Sequence, residues 1–184
     1  FSWTLFFFAQ TWLVASGRTI NHRAWGMAGI SLATAMAFTV VLAAINSMKV
    51  AEAIGMGDQA RVFSIVSLSG LVFFGTAFGL AIANVTRPEI HKRLMIVAMI
   101  PLMQAATARV FKTIVAPNDV GPPPVFVSLP PGLIVDLLLV AAIVYDWRTR
   151  GRPHPVYLYG LGAGLAVQVL GLPISATDAG RAVA

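Results

Sequence analysis

The chain has 184 residues, 58% hydrophobic and 11% charged, with a formal net charge of +6 and a mean hydropathy of +0.81. Soluble domains carry about 25% charged residues, so this composition excludes an ordinary water-facing surface and places the chain among integral membrane proteins. The absence of cysteine excludes disulfides, thiolate metal sites and thiol catalysis.

Six apolar runs predict an all-α fold, a polytopic transmembrane helix bundle forming one domain over residues 1–174 with a frayed polar tail over 175–184. The first helix, Phe1 to about Ser16, falls short of the ~20 residues a span needs. It starts inside an apolar run with no initiator Met, which predicts further sequence before it, and no signal peptide with a cleavage site is visible. Its aromatics (Phe1, Trp3, Phe6, Phe7, Phe8, Trp12) surround the helix and suit lipid or a partner subunit. After a basic turn over 17–23, the second helix runs from about Ala24 to Ser47. The stretch 47–61 is mildly amphipathic and suits a short helix along the interface. A third helix covers about Val62 to Val85.

The fourth helix, Thr86 to about Val115, carries the most information. Thr86 and Glu89 have capping-box spacing, and Pro88 sits in the first turn, where a missing N–H costs nothing. His91, Lys92 and Arg93 follow, then an apolar run in which Pro101 frees the carbonyl of Val97 and Gln104 lies near mid-membrane. Residues 116–131 hold six prolines, which predict an extended, stiff connection. The fifth helix runs from about Gly132 to Trp147 and the sixth from about Pro155 to Leu172.

Charge sets an orientation. The connections after the first, third and fifth helices hold Arg18, Arg23, Arg87, Lys92, Arg93, Arg148, Arg150 and Arg152. The opposite side and the tail hold Lys49, Arg61 and Arg181, besides Arg109 and Lys112 at the end of the fourth helix. Basic residues confined to short loops mark membrane topology rather than nucleic-acid binding, and place the richer side in the cytoplasm.

The three basic turns share a pattern: Asn21–Gly26, Ile90–Met95 and Pro153–Leu158 each contain one of the three histidines at the start of an outward-running helix. Three helix N-termini ringed by arginine and lysine form an anion site for lipid phosphate, including anionic lipid at the cytoplasmic face. His22, His91 and His154 are also the only candidates for a metal ion or haem b. No paired histidines within one helix support that, and each histidine has a plainer role as a cap or headgroup contact; no cofactor is predicted.

Within the spans, Arg109 lies about 20–24 Å along its helix and Asp136 about one turn into the next, at similar depth. An isolated charge there costs several kcal/mol, so the two are predicted to pair; a proton or ion relay through Asp136 is the functional alternative. Gln10, Gln104 and Gln168 suit interhelical hydrogen bonds. Gly75 with Gly79, and Gly160 with Gly164, have the spacing that lets helices approach closely.

Taken together, H-R-x-x-G at 22–26, P-E-I-H-K-R-L-M at 88–95, Arg109, Asp136 and D-W-R-T-R-G-R-P-H-P at 146–155 resemble an uncharacterised family of bacterial polytopic membrane proteins. The likeness covers nearly the whole chain. It implies a bacterial inner-membrane location and a further helix before Phe1, seven in all, and carries no assigned chemistry.

No Ser-His-Asp set, P-loop or dinucleotide fingerprint is present. The favoured reading is a non-catalytic subunit of a larger bioenergetic membrane complex, with other membrane subunits as partners. The alternatives are a haem- or metal-binding redox protein and a small transporter or lipid-binding protein.

Overall fold

A computed structural model describes residues 2–115 and 121–176. Among these residues the chain is all-helical: α1 Ser2–Ala15, α2 Thr19–Ala53, α3 Gly57–Ala83, α4 Pro88–Val115, a single 3-10 turn Val125–Ser128, α5 Leu129–Arg150 and α6 Pro155–Ala176. Five helices, α2 to α6, are long and apolar enough to cross a membrane.

Most boundaries differ from the expected ones because polar ends keep helical geometry. The expected basic turn over 17–23 shrinks to a tight turn at Gly17, whose φ of 73° is left-handed, and Asn21 to Arg23 are already helical. The amphipathic stretch is not a separate helix. The end of α2, to Ala53, and the start of α3, from Gly57, absorb it, joined at Gly55 (φ 75°) with the Met56 N–H on the Ala51 carbonyl at 2.8 Å. The proline-rich connection also contracts, because α5 begins at Leu129 and takes Pro130 and Pro131 into its first turn. The first N–H groups of a helix lack intrahelical partners, so proline is cheapest there. Ser175 and Ala176 extend α6; the rest of the expected frayed tail lies outside the described residues.

The chain divides into two compact units, residues 1–43 and 44–184. In the first, Gly29 of α2 lets Phe6 of α1 approach so closely that a Cβ would stand 2.7 Å from the ring. Trp3 is buried, and Arg18 stacks over Trp12 at 5.1 Å. In the second, α4 packs against α3, α5 and α6, and α3 also touches α6. The core holds Phe74, Ala77 and Ala81 of α3, Val97 to Ile100 of α4, and Val135 and Leu139 of α5. Of the two glycine pairs, only one works as a seam within the unit. A Cβ on Gly160 would meet Val97 at 2.7 Å, whereas Gly75 and Gly79 have nothing within 4 Å.

Candidate functional site

Two polar centres lie inside the second unit. The first joins the start of α4 to the end of α5 and the start of α6. Arg93 and Asp146 are both almost fully buried. The guanidinium grips the carboxylate with two bonds, Nε to Oδ2 at 3.0 Å and Nη2 to Oδ1 at 2.9 Å. This fork geometry makes an arginine–carboxylate pair strong and directional. Nη1 turns the other way, donating to the Glu89 carbonyl at 2.8 Å and its Oε2 at 2.6 Å. Glu89 also accepts from Lys92 at 2.6 Å and from Arg150 at 2.7 Å. Tyr157 of α6 lays its ring 5.6 Å from the Arg93 guanidinium carbon.

This centre corrects two expectations. The Thr86–Glu89 capping box does not form, because three cations claim the Glu89 carboxylate; the Arg87 carbonyl accepts the first N–H groups of α4 instead. Arg93 is buried in an ion pair and is no headgroup ligand, and Lys92 and Arg150 share its network. Arg18, Arg23, Arg87, Arg148 and Arg152 remain exposed. The roles of Glu89, Asp146 and Tyr157 were missed, although Glu89 with Arg93 and Asp146 with Arg150 have the i, i+4 spacing of helical ion pairs.

His91 and His154 take local bonds. His91 Nδ1 lies 2.8 Å from the Ala81 carbonyl, so that nitrogen carries the hydrogen and ties α4 to the end of α3. His154 precedes α6, and its Nδ1 accepts the Val156 N–H at 3.3 Å, a cap that needs the ring nitrogen unprotonated. Burial, and then the nearby Arg93 charge, push the His154 imidazole below its usual value of 6.5. His22 lies in the first turn of α2, in the other unit. Among the described residues no group of three or more His, Cys, Asp or Glu stands ready to hold a metal ion.

The second centre lies deeper. Asp136 of α5 is buried, and its Oδ2 accepts from Gln168 Nε2 of α6 at 3.0 Å. Asp136 Oδ1 and Gln168 Oε1 are buried with no hydrogen-bond partner. Gln104 of α4 donates to the Ser128 carbonyl at 3.3 Å. Beside these groups is a chamber of about 40 Å³ for water centres, lined in part by Ser69, Gly70, Pro101, Gln104, Ser128 and Gln168. At roughly 10–15 Å³ per water, it has room for about three.

The predicted Arg109–Asp136 pair does not form. Arg109 is exposed and donates to the Ala105 carbonyl of its own helix at 2.9 Å. Similar depth is not enough: Arg109 follows Gln104 by five residues, which turns it roughly 140° away from the face Gln104 presents to the chamber. Of the three glutamines, Gln104 and Gln168 do bond between elements, as expected, whereas Gln10 Oε1 of α1 is buried without a partner.

No protein-family model, curated protein or solved structure matches the chain.

Proposed function

We propose that the chain is a multi-pass integral membrane protein of the bacterial inner membrane, acting as a non-catalytic subunit of a larger membrane assembly. The observation that carries the membrane reading is exposure. Each of the five long helices leaves large apolar side chains uncovered, among them Phe38, Val72, Ile114, Leu137 and Tyr159, each 61% exposed or more. Apolar exposure on this scale calls for lipid or protein cover.

Three features support a subunit role. Trp3 is the only buried residue of α1, whose Leu5, Phe8 and Trp12 stand exposed and suit a partner helix. The Glu89–Arg93–Asp146–Arg150 network is spent on joining helices. The exposed Arg18, Arg23, Arg87, Arg148 and Arg152 belong to turns assigned to the cytoplasmic side, where anionic lipid headgroups meet them.

Gentle detergent extraction from the native membrane, sizing and a full visible spectrum test this reading. A particle far larger than the 19.5 kDa chain plus detergent, with other polypeptides present, is the expected result. A small particle with a redox-sensitive haem band would overturn it in favour of a haem protein. A small colourless particle would overturn it in favour of transport or lipid binding.

A further inference from the structure

The ion network uses one of two buried acids on α5 and leaves the other, Asp136, to a single amide. Asp136 lies about 10 Å along the helix from Leu129. Gln168 of α6 bonds it directly, Gly164 of α6 stands close to its Oδ1 with the Phe73 ring of α3 beside the same glycine, and Gln104 of α4 reaches Gly132, one turn before it. None of these carries charge or titrates, and among the described residues no cation lies within ion-pair distance of Asp136. Glycine on α5 makes room for the amide: a Cβ on Gly132 would strike Gln168 Oε1 at 2.7 Å, whereas one on Gly164 would stand in ordinary contact, 3.9 Å from Asp136 Oδ1.

An ionised carboxylate offers only acceptors, and here one donor answers it. Gln168 adds a second acceptor without a donor. A neutral carboxyl beside a primary amide pairs differently. The amide N–H goes to one carboxyl oxygen, and the carboxyl O–H goes back to the amide oxygen. The first of these bonds is present at 3.0 Å, and the second would join the two buried oxygens that have no partner. One hydrogen ion would therefore supply what both lack, and remove a bare charge from an apolar interior, where it is costly.

We propose that Asp136 is an intramembrane proton-binding site. The hydrogen ion is held between its carboxyl and the Gln168 amide, and exchanges with water in the adjoining chamber. Gln168 lines that chamber, so its space for water lies one side chain away from the carboxyl. This site is independent of the subunit role and stands or falls separately.

Infrared titration of the full chain in lipid vesicles tests it. Among the described residues the buried acids are Asp136 and Asp146, and Asp146 is paired with Arg93, so a neutral-carboxyl carbonyl band that Asp136→Asn removes belongs to Asp136. The expected result is a band that is lost in Asp136→Asn, moved in Asp136→Glu, and fades as pH rises, about tenfold per pH unit above its midpoint. If Asp136→Asn fails to fold, the displacement of the band in Asp136→Glu makes the assignment. Absence of the band at every pH that keeps the chain folded would overturn the proposal, as would a band that never fades. Suppression of the band when sodium replaces choline at fixed pH would also overturn it, assigning the site to an alkali ion.

Discussion

Asp146 and Asp136 lie about 15 Å apart along one helix, both nearly fully buried, and the fold treats them oppositely. Asp146 has both oxygens in the grip of Arg93, with Arg150 3.4 Å away. Asp136 has one amide. Buried ions are retained when paired and hydrogen-bonded; a buried acid without a cation is costly unless it is neutral. The first acid therefore serves as a clamp among α4, α5 and α6, and the second is left open to change its charge.

The comparison breaks most sharply at Arg93. Arg93→Met should strand the Asp146 charge and cost ~3 kcal/mol, the lower end for splitting a buried pair, read as a lower unfolding midpoint in detergent. Adding Asp146→Leu should recover most of the loss, since a matched apolar pair is close to neutral. If the double variant is as unstable as the single one, the clamp reading fails.

Next in size is the seam one turn along α4 from Arg93. Gly160→Ala should cost about 1–3 kcal/mol, because the new methyl meets the stiff side chain of Val97. Gly75→Ala has open space and should be neutral or stabilise by up to about 1 kcal/mol through helix propensity. Equal effects at the two glycines would refute the assignment of the seam.

Asp136→Asn should change stability by less than about 1 kcal/mol, since a neutral acid and an amide offer Gln168 similar partners. A loss near that of Arg93→Met would mean that Asp136 works as an ion, and would erase the contrast between the two acids.

The smallest effect is at His154. Its folded value lies below 6.5, so the folded state binds its proton later than the unfolded chain. The contribution is fully present above pH 6.5 and is lost as pH falls through 6.5 towards the folded value. His154→Asn keeps a capping side chain and cannot titrate. The stability advantage of wild type over this variant should therefore shrink on acidification; an advantage that grows would reverse the sign.

Much of this was legible in the residues because it depends on local physics. Apolar runs give six helices whatever they pack against, and left-handed glycines, Gly17, Gly55 and Gly151, stand at three of the breaks between them. Pro88 sits in the first turn of α4 as its chemistry demands. Partner choice was harder to read. Depth alone suggested Arg109 for Asp136, yet the rotational phase of α4 and the packing of α6 against α5 brought Gln168 there instead. Glu89 looked like a cap because a cap needs only near neighbours, whereas Arg150 reaches it from 61 residues away.

The sequence by itself therefore determined the number of helices, their apolar faces and the basic bias of alternate turns, since backbone hydrogen bonding and burial of apolar area follow from composition and period. Only the tertiary structure decided which buried acid is neutralised by arginine and which is left with an amide. That outcome depends on the azimuth of each side chain about its helix, and on which neighbouring helix brings a partner to the same depth.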